Sequence, residues 1–142
     1  MTAKEYLQQI YITTKKIERL EQSREQLRAD LYSIESPSGS MSSTVVSSSV
    51  SGDKMEKLIA KADCIERDIV KELDRLIKKR DKITRQIEKV PDERYRTILY
   101  QRYVQCLKWE RIADNLNHDL RYVYRLHGDA LQVFDKLFDI SH

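Results

Sequence analysis

From residue 2 to about residue 35 the apolar positions Leu7, Ile10, Ile17, Leu20, Leu27, Leu31 and Ile34 recur at steps of three, four and seven, with Lys, Glu and Gln around them. That is one stripe on an amphipathic helix. Thr14 and Arg24 are imperfect members of the same seam. A second stripe runs through Met55, Leu58, Ala62, Ile65, Ile69, Leu73, Leu76, Ile83, Ile87 and Val90. Within it Ile69, Leu76, Ile83 and Val90 recur every seven residues, the spacing of a coiled coil. Asp53, with Glu56 three residues on, predicts the N-cap of this helix. At a rise of about 1.5 Å per residue the two helices are roughly 50 and 55 Å long.

Between them lies "SPSGSMSSTVVSSSVSG", residues 36–52. Its serines, Pro37 and two glycines end the first helix and predict a loop, with residues 44–50 open as a transient strand. Two helices of similar length joined by a loop predict an antiparallel helical hairpin. The same stripes also read as pairing between chains. Two helices alone bury little surface, so a dimer is expected.

Pro91 divides a hairpin over residues 1–90 from a second domain over 91–142. With two acids behind it, Pro91 predicts the start of the helix "PDERYRTILYQRYV", whose apolar positions are Ile98, Leu99, Tyr103 and Tyr95. "QCLK" interrupts it. The stretch "LKWERIADNLNHDLRYVYRLHGDAL", residues 107–131, then places Ile112, Ala113, Leu116, Val123, Leu126 and Ala130 in two clusters parted by "NHD". Two short helices explain the break. Trp109 to Leu116 is the first, Asp119 caps the second from Leu120 to about Phe138, and "NHD" is the turn. In a helix-turn-helix the bracing helix needs a small residue at the crossing, here Ala113, facing Val123 and Leu126.

The outward positions of the second helix are then Arg121, Tyr122, Tyr124 and Arg125. Arginine grips guanine edges or phosphates bidentately, and tyrosine reaches phosphates or thymine methyls. Lys108 and Trp109 begin the bracing helix, whose N-terminus favours a phosphate. Arg121 and Arg125 read alternatively as solvated charges, and Trp109 as a packing residue. If Val123 faces the core, Tyr122 and Tyr124 cannot both do so.

Composition narrows the classes. The charged fraction is 35% and aromatics are 8%, which favours extended helix over a compact α/β domain. The net charge of +3 permits nucleic-acid binding without arguing for it. Residues 91–142 carry eight basic and eight acidic side chains, so any DNA affinity depends on local placement and on the basic second hairpin helix, with its "KKRDK" run. That run reads first as a solvated face and second as a phosphate-contacting strip. Cys64 and Cys106 stand apart without a CxxC pair, the mark of a reduced, intracellular chain. No signal peptide or 18-residue apolar run is present, which predicts a soluble protein. His118, His127 and His142 have no metal-ligand spacing, and no nucleophile or glycine-rich phosphate loop accompanies them. Neither cofactor, metal nor enzymatic activity is expected.

"VPDERYRTILYQRYVQCLKWERIADNLNHDLRYVYRLHGDAL" resembles the fourth-region helix-turn-helix of bacterial sigma factors. Val90-Pro91, Arg102-Tyr103, Trp109-Glu110, Ile112-Ala113, Leu116, Val123 and Ala130-Leu131 fall on that pattern, with one extra residue before Arg102. Joined to a helical hairpin, it is similar to phage-encoded late transcriptional regulators of the ArpU and RinA type. The resemblance implies promoter DNA binding, contact with host RNA polymerase and a bacterial cytoplasmic location, with Arg121, Tyr122 and Arg125 as DNA-reading positions. Asn117 replaces the usual turn glycine and tolerates a left-handed backbone. Gly128, inside the second helix, is atypical and reads as softening it or allowing close packing.

Two further readings stay open. The C-terminal apolar residues Leu131, Phe134, Leu137 and Phe138 either pack back on the domain or form a dimer or polymerase-contact surface. The chain as a whole reads alternatively as a phage structural, assembly or packaging protein, oligomerising through its hairpin. A small-terminase-like subunit would carry its helix-turn-helix before the coiled coil, the reverse of the order here.

Overall fold

The computed structural model of the chain describes residues 1–35 and 47–141. Its regular structure is entirely helical: α1 (Ala3–Leu7), α2 (Gln9–Glu35), α3 (Ser47–Glu88), α4 (Glu93–Leu99), a π-helical turn (Tyr100–Val104), α5 (Trp109–Leu116) and α6 (Leu120–Phe138). This is an all-α protein. Among the described residues, no helix is long and apolar enough to cross a membrane.

α1 opens on a reciprocal cap. The Thr2 hydroxyl accepts from the Glu5 amide at 3.1 Å, and the Glu5 carboxylate accepts from the Thr2 amide at 2.8 Å. Gln8 separates α1 from α2 without interrupting the ladder, donating to the Lys4 carbonyl at 2.9 Å and accepting from Ile12 at 3.0 Å.

α3 begins earlier than its sequence signals imply. Ser47 to Gly52 are helical, so Asp53 is not the cap; it sits inside the helix and pairs with Lys57 one turn on at 3.3 Å. Serine and glycine cost a helix less than about 1 kcal/mol each, and a long helix already nucleated downstream can propagate through them. The strand considered for residues 44–50 is overruled over Ser47 to Val50 for the same reason. The rest of the serine-rich loop, residues 36–46, lies outside the described residues.

The described residues form two compact units, one of Met1–Thr14 with the chain from Arg75 onward, the other within Lys15–Asp74. In the second unit α2 and α3 meet through Arg24–Glu66 at 3.1 Å and Lys16–Glu72 at 3.0 Å, over a seam holding Ile17, Leu27, Leu58 and Ile69. Arg24 thus fills its polar seam position by pairing across it. Leu73, expected in the stripe, is 41% exposed, while its neighbour Glu72 is buried. The lysine on the facing helix makes the carboxylate tolerable there, since a buried charge needs a partner.

In the first unit the Tyr6 hydroxyl donates to the Gln86 side-chain carbonyl at 2.6 Å, and the Lys79 ammonium donates to the buried Thr13 hydroxyl at 3.2 Å. The heptad residues Leu76, Ile83 and Val90 are buried here, as Ile69 is in the other unit. Pro91 precedes the next cap instead of entering the helix. Asp92, with φ −82° and ψ 122°, accepts from the Arg94 amide at 2.8 Å and starts α4. Arg96 ties the link down by donating to the carbonyls of Val90 and Pro91 at 2.6 and 2.9 Å.

The core of this unit gathers Leu7, Ile10, Ile83, Ile87, Val90, Ile98, Leu99, Ile112, Val123 and Phe134, all essentially inaccessible to solvent. Each such side chain contributes about 1.5–3 kcal/mol relative to exposure. α1 packs on α6: the Tyr6 and Phe134 ring centroids are 6.1 Å apart. Phe134 also meets Phe138 at 4.8 Å, while Leu137 is exposed. The last helix therefore packs back on the unit through Phe134.

Candidate nucleic-acid interface

α5 starts at Trp109 behind Lys108, whose extended backbone (φ −70°, ψ 152°) sets the entry without a side-chain cap. It ends at Asn117 in the left-handed conformation, φ 57° and ψ 41°, a backbone state asparagine accepts more readily than most residues. The amides of Asn117 and His118 close the turn onto the carbonyls of Asp114 and Ala113 at 3.2 and 3.1 Å. The Asp119 carboxylate then accepts from the Tyr122 amide at 2.9 Å and caps α6. Across the link, buried Ile112 and Ala113 stand opposite buried Val123, Leu126 and Ala130.

That inward set dictates what faces out. Arg121 and Arg125 are exposed, one helical turn apart. Tyr124 is 49% exposed and Tyr122 half-buried, so at least one tyrosine faces solvent, as the burial of Val123 requires. Tyr122 stacks on His118 with centroids 3.9 Å apart. Lys108 is exposed at the start of α5.

Trp109 is held from several sides. The Arg102 guanidinium lies 4.4 Å from its ring centroid, and the edges of Tyr124 and His127 meet it at 5.5 and 4.5 Å. Arg102 is itself fixed by donating to the Leu107 carbonyl at 2.9 Å. These contacts hold the Trp109 ring against Tyr124 at the N-terminus of α5.

Behind it, the Tyr103 hydroxyl and His127 Nε2 are 2.6 Å apart, with centroids 5.7 Å apart. Burial pushes the Tyr103 phenol up to about 12. Burial, then the nearby cations Lys4 and Arg102, hold His127 down at about 4. Neutral His127 therefore joins the π turn to α6. That turn runs from Tyr100 to Val104, closed by the Gln105 amide on the Tyr100 carbonyl at 3.0 Å, and Cys106 leaves it at φ 56°.

Tyr122 and Arg125 line a small cleft of about 100 Å³ together with Arg94, Tyr95, Leu126 and Asp129. Arg121, Lys108 and Trp109 lie outside it. Arg94, which no sequence spacing pointed to, donates to both Asp92 carboxylate oxygens at 3.3 and 3.0 Å. This holds the Asp92 carboxyl below the usual range, and Asp92 with the Tyr122 hydroxyl keeps the guanidinium charged. With Asp129 in its lining and Asp92 paired to Arg94 beside it, the cleft's two arginines are close to neutralised and it is no anion hole by itself. Among the described residues no cluster of His, Cys, Asp or Glu has the makings of a metal site.

What the geometry offers is a surface: an exposed arginine pair and a tyrosine on the first turns of a helix braced by a second. The family model for a protein of unknown function, DUF1492, matches residues 35–135. No curated protein and no solved structure matches the chain.

Proposed function

The chain belongs to the DUF1492 family of proteins of unknown function, and from that premise we propose that it is a sequence-specific DNA-binding transcriptional regulator of the phage type. In this reading α5, its link and α6 are a helix-turn-helix entering promoter or operator DNA, in the manner implied by the sigma-factor region-4 resemblance. The two long helices form an antiparallel hairpin. The observation that carries the reading is the two-faced α6: Val123, Leu126 and Ala130 inside, Arg121, Tyr124 and Arg125 outside on its first turns. The π turn adds support. The sigma-like pattern has one residue too many before Arg102, and a π turn is how a helix takes in one extra residue. Contact with host RNA polymerase belongs to the same reading and rests on the resemblance. The protein binds; it does not catalyse.

A homodimer presents two recognition helices, with half-sites about 34 Å apart or a multiple of that. Ile59, Val70 and Leu73, 46, 65 and 41% exposed on one face of α3, favour self-association through that face. The same face favours the second reading, a structural or assembly protein whose C-terminal helices grip protein.

Binding of duplex DNA by the wild type and by Arg121→Ala/Arg125→Ala tests both. The regulator reading expects a preferred sequence, loss of that preference in the double variant, and a salt slope shallower by about 0.9 for each phosphate the variant no longer neutralises. Binding without preference, or untouched by the substitutions, refutes it. Ring-like stoichiometry in solution would then favour the assembly reading.

A further inference from the structure

Gly128 lies in the middle of α6, exposed, and a Cβ placed on it would meet nothing within 4 Å. Glycine is the poorest helix former after proline, because its backbone loses most freedom on ordering. The open space shows that no close packing within the chain uses the missing side chain. The fold therefore forgoes helix stability at this position and receives nothing for it.

The position has a direction. At about 3.6 residues per turn, Arg121, Arg125, Gly128 and Gln132 fall within an arc of about 60°. Arg121, Arg125, Gly128 and Gln132 are all exposed, while the buried Val123, Ala130 and Phe134 lie on the opposite side. Gly128 thus sits on the outward face, a turn beyond Arg125. A helix with side chains is about 10–12 Å across and the major groove about 12 Å wide, so a helix seats deepest where its side chains are shortest.

We infer that Gly128 is the point of closest approach between α6 and DNA. Its bare backbone lets the third turn settle against the groove wall while Arg121 and Arg125, on the turns before it, reach base edges or phosphates. Asp129, an exposed acid that would repel phosphate, lines the cleft with Arg94 and Arg125, whose charges offset its own. The inference rests on the DNA-binding reading and adds to it a residue that sets the depth of docking.

The test uses the full chain. The wild type selects a duplex from a random-sequence pool, and fluorescence anisotropy then measures that duplex with wild type, Gly128→Ala, Gly128→Gln and Arg121→Ala/Arg125→Ala. Thermal melts run alongside. The expected result is a divergence: Gly128→Ala raises Tm by about 2–5 °C yet weakens binding roughly tenfold, and Gly128→Gln weakens it further. Wild-type affinity in Gly128→Ala overturns the inference, as does a lowered Tm accompanying weaker binding. If the arginine variant fails to bind while Gly128→Ala still does so fully, this inference alone falls. If the wild type selects no duplex, the DNA reading falls and takes it along.

Discussion

Replacing His127 with glutamine isolates one protonation event from the rest of acid denaturation. His127 is held at about 4 by burial and by the cations Lys4 and Arg102, against a free value of 6.5. The unfolded chain therefore takes up a proton that the folded chain refuses. Stability from this group is complete above the unfolded value and is lost as the pH falls from about 6.5 towards 4. That difference corresponds to at most about 2.5 kcal/mol at pH 4.5. His127 is only partly buried, and solvent screening reduces this to about 1–2 kcal/mol. Glutamine retains an oxygen that can accept from the Tyr103 hydroxyl but does not titrate. Urea unfolding of both proteins at pH 7.5 and pH 4.5 gives the answer as a difference of differences. The wild type loses about 1–2 kcal/mol more than His127→Gln over that range. Equal losses, within about 0.5 kcal/mol, would refute the account of His127 as a neutral bridge between the π turn and α6.

Three further outcomes are expected, each read by urea or thermal unfolding. Phe134→Ala removes the ring that packs α6 on Tyr6 of α1 and meets Phe138 within its own helix and costs about 3–5 kcal/mol; a loss under 1 kcal/mol would mean α1 and α6 do not depend on it. Asn117→Gly relieves a left-handed residue and stabilises by a few tenths of a kcal/mol, whereas the β-branched Asn117→Val destabilises by at least about 1 kcal/mol. Asp119→Ala removes the α6 cap and costs about 1 kcal/mol, while Asp119→Asn largely restores it.

What the sequence made legible is what short-range physics determines. The α5 and α6 boundaries follow from Asp119 as a cap, Asn117 as a left-handed residue and two clusters of apolar spacing, and the structure has each of them. The heptad through Ile69, Leu76, Ile83 and Val90 is buried throughout, because a repeat of seven keeps one face turned to its partner. What stayed hidden depends on residues far away in the chain. Glu72 is buried because Lys16 faces it, and nothing in the periodicity of α3 marks that exchange with Leu73. Tyr6 against Phe134 and Arg94 beside Tyr122 are likewise tertiary pairings. The π turn was visible only as one surplus residue before Arg102, which spacing registers but cannot translate into geometry.

The packing of α1 on α6 also bears on how the polypeptide reaches this state during synthesis. Tyr6 and Phe134 touch across almost the whole length of the chain, a contact of very high sequence separation. Ala3, Leu7 and Ile10 are made before the residues around Phe134 and are buried in the finished unit, so that burial is complete only once those later residues are in place. Closing this unit means closing a long loop, which slows its folding relative to a bundle held by local contacts alone. Until it closes, Leu7 and Ile10 present to water the apolar surface that the finished unit buries.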